Sequence, residues 1–165
     1  MDLAMQKLDF LNEKFSNSNL CFNEIESGLI KAELHFSTQA CAEVHLQGAH
    51  LSRWQDMQGR DNIFTSANAV YKSGIPIRGG NPIIFPQFGS GEMAQHGFAR
   101  NSIWRVINTE ITNVATVMVL ELRPDDIDIS YQTQWPHDFL ATLTISLGET
   151  LTTQLKVYNP NAYPL

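Results

Sequence analysis

Arg78 and Arg100 bound a stretch that also holds Gln87, Gln95 and His96, a set of side chains that could grip a phosphorylated, hydroxyl-rich ligand. A guanidinium presents a planar fork of donors that binds two phosphate oxygens at once. A glutamine amide and an imidazole provide neutral hydrogen bonds suited to hydroxyl groups, and histidine titrates close enough to neutrality to donate or accept. Five glycines and two prolines lie within the same stretch, a density that regular helix or sheet does not accommodate. The segment therefore reads as a series of tight turns, packed onto a core through Ile83, Ile84, Phe85, Phe88 and Phe98. A rigid loop with convergent polar groups is where binding and catalysis usually reside.

The elements that must hold this loop are read from hydrophobic periodicity. Residues 4–15 place Met5, Leu8, Leu11 and Phe15 three and four apart, which predicts a short helix ended by Ser16-Asn17-Ser18-Asn19. From Leu29 onward the period is two. Ile30, Ala32, Leu34 and Phe36 share one side, and Val44, Leu46, Leu51 and Trp54 continue on later strands, with Gly48 at a bulge or turn. Residues 57–62 form a turn, and Ile63-Phe64 restarts a short strand. Beyond the loop, residues 102–108 and 115–122 read as strands separated by polar residues, and Pro124-Asp125-Asp126 breaks the chain. Residues 139–147 and 150–158 form a hairpin. Short strands in succession, with no long helical pattern between them, predict an all-β antiparallel sandwich in a single domain spanning residues 1–165.

Composition narrows the function. A net charge of -6 and a pI near 5.2 exclude a general nucleic-acid binder, which needs a basic face to neutralise many phosphates. No apolar run reaches bilayer length and no signal-peptide pattern opens the chain, so a cytoplasmic protein without a membrane partner is expected. Cys21 and Cys41 read as buried or half-buried thiols. Glu43, His45 and Gln47 share a strand face near His35 and His50, but their spacing matches no metal motif. They read as exposed strand polars, and no metal is expected. His137 reads as part of a packed corner with Trp135 and Phe139. Arg53 and Lys72 read as surface residues, and Asp125, Asp126 and Asp128 as a solvated acidic turn.

Two segments carry a family likeness. Arg-Gly-Gly-x-Pro-x-x-x-Pro-x-Phe-Gly at 78–89 and Gln-His-Gly-Phe-Ala-Arg-x-x-x-Trp at 95–104 resemble the glucose-6-phosphate 1-epimerase branch of the aldose 1-epimerase (mutarotase) superfamily. The likeness extends to Leu46-Gln47-Gly48-Ala49-His50-Leu51 and to Trp135-Pro136-His137-Asp138-Phe139. It implies a sandwich of the galactose mutarotase-like type (supersandwich), incomplete at its C-terminus, that acts on a hexose 6-phosphate without metal or cofactor. The resemblance places Arg78, Gln95 and Arg100 on the substrate and gives His96 a sugar-binding role. The catalytic histidine and glutamate of the family are expected beyond Leu165, which leaves no catalytic residue to assign here and an open sheet edge through which the chain could self-associate. Two rivals stay open: a carbohydrate- or phosphosugar-binding module without turnover, and a structural sandwich that associates through that edge.

Overall fold

The computed structural model describes residues 7–165. Its first element is α1 (Leu8–Phe15), which buries Leu11 and Phe15. The N-terminal part of the helix expected over 4–15 lies outside the described residues. Asn12 fixes α1 to the chain that follows: its amide donates to the Phe22 carbonyl and accepts from the Phe22 N–H, both at 3.0 Å. Four antiparallel strands come next, β1 (Leu20–Glu24), β2 (Ile30–His35), β3 (Cys41–His45) and β4 (His50–Gln55), in the order β1-β2-β3-β4. A second antiparallel sheet is built from β5 (Arg105–Ile111), β6 (Thr116–Leu122), β7 (Leu140–Leu147) and β8 (Leu151–Tyr158), again in chain order. Between β6 and β7 lie a 3-10 turn (Pro124–Asp126) and the short helix α2 (Ile129–Gln134), whose N-terminus is capped by Asp128.

Alternation explains which faces meet. Leu20, Phe22, Ala32, Leu34, Ala42 and Val44 of the first sheet are buried, as are Met118, Leu120, Leu122, Ala141, Leu143, Ile145 and Leu147 of the second, and all belong to one continuous core. Each such side chain contributes about 1.5–3 kcal/mol on leaving water if fully buried and of leucine or phenylalanine size. A bulge between β3 and β4 pairs Glu43 with Arg53 but Val44 with Leu51, so Ser52 is the extra residue. That insertion lets Leu51 and Trp54, an odd number of positions apart, both turn toward the core. The sheets are also joined by backbone: the Trp104 N–H donates to the Leu46 carbonyl at 2.9 Å and the Gly48 N–H to the Ser102 carbonyl at 2.7 Å.

The structure corrects several expectations. Ile63-Phe64 is not a strand, and Phe64 is 80% exposed, because pairing there passes to an isolated Thr65–Gly79 bridge. The strand expected at 102–108 starts and ends later, at Arg105–Ile111, because residues 102–104 are engaged by the β3–β4 turn. β1 and α2 were not expected at all. Cys21 is exposed on β1, while Cys41 is half-buried. On β8 the residues that face inward, Leu151, Leu155 and Val157, lie opposite buried Leu147, Leu143 and Ala141, yet Leu155 is 41% exposed because nothing covers it. Among the described residues no helix is long and apolar enough to cross a membrane.

Candidate functional site

The loop from Arg78 to Arg100 contains no strand or helix and is seated at both ends by backbone bonds. At its start, the Gly80 N–H donates to the Phe64 carbonyl at 2.9 Å and the Asn81 N–H to the Leu51 carbonyl at 2.8 Å, which lays the chain along the edge of β4. At its end, Gly97 pairs with Phe85, and the Ala99 N–H donates to the Phe85 carbonyl at 3.2 Å. Gly97 has φ +72°, and a Cβ there would lie 2.3 Å from the Phe85 oxygen, so no other residue fits. The Phe85–Pro86 peptide is cis. Between the two seats Gln87 gathers the chain, its amide donating to the Met93 carbonyl at 3.2 Å and the Ala94 carbonyl at 3.3 Å.

Apolar contacts anchor the loop from below. Phe85 and Phe98 pack against Trp135 and Phe139 with ring centroids 5.3–5.7 Å apart, distances at which edge and tilted contacts are favourable. Trp104, fully buried, donates its indole N–H to the Ala99 carbonyl at 2.9 Å. Phe88 is the exception among the loop's apolar residues, being 85% exposed with its ring edge on His96.

His96 is held in a defined state. Its backbone has φ +69°, an uncommon conformation for a residue with a side chain. Its N–H donates to the Gly89 carbonyl at 2.8 Å, and the Gly89 N–H donates to its Nδ1 at 3.0 Å. Because Nδ1 accepts, the neutral ring carries its proton on Nε2. The side chain's hydrogen bond among the described residues is the one at Nδ1, so the Nε2 donor is left for a ligand.

The chain has six arginines, and their partners separate them. Arg53 pairs with Glu43 and Asp61, Arg60 with Asp56, Arg105 with Asp126, and Arg123 with Glu121. Arg78 and Arg100 have no carboxylate partner among the described residues. Arg100 is half-buried: one Nη2 hydrogen bond goes to the Gln95 carbonyl at 2.6 Å, and its Nε is enclosed without a partner. Its pKa is lowered first by burial and also by the like charge of Arg78, with the Tyr131 hydroxyl group acting in the opposite direction. Arg78 is exposed. Two cations that repel one another with no anion to offset them form a site that an anion would relieve. The loop thus brings Arg78 within electrostatic range of Arg100 and ties Arg100 to the Gln95 backbone. The side chains of Gln95 and His96 bond to neither arginine; Gln95 is exposed beside the site.

Other candidates fall elsewhere. His45 and His50 face each other across β3 and β4 and are 3% and 2% exposed, which corrects the expectation of exposed strand polars. Burial lowers the pKa of each to about 4. For His45 the charges of His50 and Lys31 add to the effect, and for His50 a hydrogen bond to the Gly79 backbone opposes it. Gln47 is also buried and holds the 72–75 turn, donating to the Ile75 carbonyl at 2.8 Å and accepting from the Gly74 N–H at 2.9 Å. His35 ends β2 on the exposed side. Among the described residues no group of three or more histidine, cysteine, aspartate or glutamate side chains is arranged to hold a metal. His137 packs between Trp135 and Tyr163, as expected of an aromatic corner. Arg53 is a surface residue and Lys72 is exposed. Asp126 is not solvated: its carboxylate is 4% exposed, pairs with Arg105 at 3.0 Å and accepts from the Arg123 N–H at 2.8 Å.

A cavity of about 650 Å³ lies against α2, lined by Asn101, Ser102, Arg105, Asp125, Asp126 and Tyr131 among others. None of Arg78, Gln95, His96 or Arg100 lines it. Its acidic wall is poorly suited to a phosphate, whereas the unpaired arginines of the neighbouring loop suit one. Sequence reasoning did not single out Arg105, whose partner Asp126 comes from a distant turn.

A sequence profile of the aldose 1-epimerase family matches residues 31–165. The chain belongs to the aldose 1-epimerase family. A protein of Cenchrus ciliaris, provisionally named glucose-6-phosphate 1-epimerase, is 35% identical over 148 residues, covering 84% of this chain and 44% of that protein. A Salmonella typhimurium protein with the same provisional name is 32% identical over 123 residues, or 73% of this chain and 41% of its own. The crystal structure of a Salmonella typhimurium protein provisionally described as a mutarotase superposes with a TM-score of 0.77 at 28% identity, covering 86% of this chain and 48% of the other. A galactose mutarotase-like protein of Lactobacillus casei shares the fold, with a TM-score of 0.59 at 17% identity over 82% of this chain and 46% of its own. The chain spans about half the length of these relatives, or somewhat less.

Proposed function

We propose that the protein carrying this chain is a mutarotase that interconverts the α and β anomers of a hexose 6-phosphate, and that this chain supplies substrate recognition. The observation that carries the reading is the pair Arg78 and Arg100, the two arginines without a carboxylate partner among the described residues, held within range of one another by a glycine-rich loop. The names of the relatives point the same way. In this reading the phosphate sits between the two guanidinium groups, which relieves their repulsion. The Nε2–H of His96 and the Gln95 amide then reach the sugar hydroxyls. Water contributes little to the Arg100 side of the site because that side chain is half-buried.

Anomer exchange needs a base to remove the proton from the anomeric hydroxyl and an acid to protonate the ring oxygen. The C1–O5 bond breaks, C1 rotates as an aldehyde, and O5 attacks the other face as the protons return. Each proton transfer is worth about 10²–10⁴-fold. We assign these transfers to a histidine and a glutamate in the part of the relatives' length that this chain does not span, and recognition to Arg78, Gln95, His96 and Arg100. Exchange NMR between the anomers of glucose 6-phosphate tests the reading. Acceleration by the full-length protein, lost when Arg78 and Arg100 are both replaced by alanine, is expected. Full acceleration in that double variant would overturn it.

A further inference from the structure

We infer that His50 is a positioning residue for Arg78, its buried ring forming the seat on which the Arg78–Gly80 elbow rests. This rests on the reading of Arg78 as an anion-binding group. Arg78 itself makes no hydrogen bond or ion pair among the described residues, so its direction is set by the backbone that follows it. That backbone is confined from two sides. Gly79 bridges Thr65, and the Gly80 N–H donates to the Phe64 carbonyl at 2.9 Å. On the other side, a Cβ on Gly80 would lie 2.4 Å from Nε2 of His50 and 2.5 Å from the Leu51 oxygen, so the peptide lies directly on the ring. Gly80 has φ +64°, a conformation that takes the chain over the imidazole without a side chain in the way.

His50 is 2% exposed and opens β4, and its ring is within hydrogen-bonding reach of the Gly79 backbone. Its Nε2 makes no hydrogen bond among the described residues. An imidazole is a costly choice for a buried position that asks only for volume, since a nitrogen left without a partner loses its hydration. A planar ring in contact with two successive peptides is, by contrast, a suitable floor for an elbow. A small tilt of that elbow would swing the long Arg78 side chain away from Arg100, and displacements of about 1 Å can cost as much as 10²-fold in function.

The test is a titration of the protein with inorganic phosphate, followed by calorimetry and by the amide resonances of Gly79 and Gly80. His50→Leu, which fills the volume without a hydrogen bond, is expected to weaken phosphate binding about tenfold and to increase amide exchange at Gly79 and Gly80. His50→Asn and His50→Gln each set an amide near one ring nitrogen, and one of the two is expected to recover the affinity. His45→Leu, on the facing strand and with its ring tilted against Tyr71 at a centroid distance of 5.0 Å, should bind phosphate as the unaltered protein does. A folded His50→Leu variant with unchanged affinity and unchanged exchange at Gly79 and Gly80 overturns the inference. If that variant does not fold, affinity equal to the unaltered protein in both amide variants overturns it. Arg78→Ala separates the two ideas: unchanged phosphate affinity there sinks the anion site, while amide exchange in His50→Leu still decides the seat.

Discussion

Replacing the two unpaired arginines one at a time should have unequal effects, and the inequality follows from their surroundings. A hydrogen bond to a charged group contributes about 1.5–3 kcal/mol. Arg100 is half-buried, and its Nη2 is already fixed by the Gln95 carbonyl at 2.6 Å, so little is lost in ordering it and its field is weakly screened. Arg100→Ala should therefore cost near the upper figure, about 3 kcal/mol, or roughly 150-fold in phosphate or glucose 6-phosphate affinity. Arg78 is exposed and must be ordered on binding, so Arg78→Ala should cost about 1.5 kcal/mol, roughly tenfold. Solvent ions screen exposed charges more than buried ones, so the Arg78 contribution should shrink at high salt while that of Arg100 persists. Arg100→Lys keeps the charge without the fork and should fall between Arg100→Ala and the unaltered protein. Calorimetric titration at low and high salt measures all three, with a thermal melt to separate loss of fold from loss of affinity. Unchanged affinity in both alanine variants, or a larger loss at Arg78 than at Arg100, would refute the reasoning.

Three further outcomes are expected. His45 and His50 have folded pKa values of about 4 against 6.5, so the unfolded chain binds more protons between those values. Stability is then complete above pH 6.5 and lost as pH falls to 4, by up to about 3 kcal/mol per histidine. Urea unfolding at pH 7 and pH 4.5 checks this, and His45→Leu/His50→Leu should flatten the acid limb. Gly97→Ala sets a Cβ 2.3 Å from the Phe85 oxygen at φ +72°; strain and overlap together should cost more than about 2 kcal/mol and lower the melting temperature, whereas an unchanged melt would mean the loop is seated differently. Leu155→Lys or Val157→Lys on the uncovered face of β8 should reduce any concentration-dependent increase in mass seen by light scattering, and a protein monomeric at every concentration would show that this face does not associate.

The strands most legible in the sequence are those with one face on the core and clean alternation, such as β7, where Ala141, Leu143, Ile145 and Leu147 are all buried. β1 is not legible because Leu20 and Phe22 are its two inward residues and polar Asn19 and Asn23 flank them. The loop was legible because its glycines and prolines admit little else. The burial of His45 and His50 was not, because residue type argued for exposure. It arises when Tyr71 covers one ring and the 79–80 peptide covers the other, which are tertiary facts. Nor could sequence alone show which arginines lack partners, since Arg105 finds Asp126 only once the 3-10 turn folds back beside β5.

The aromatic cluster under the loop bears on how this protein could acquire a new specificity. Phe85 and Phe98 belong to the loop, yet both pack with Trp135 and Phe139 as part of the sandwich interior. The loop is therefore not a detachable module: a graft from another scaffold would have to match two ring positions in the core as well as the path of its own backbone. Change is open instead at the exposed side chains proposed to meet the ligand, which take no part in that interior. Gln95 is exposed and contributes only its carbonyl to the framework, so its amide could be exchanged for other polar groups without disturbing the packing. Diversification should accumulate at such positions while the rings beneath them stay fixed.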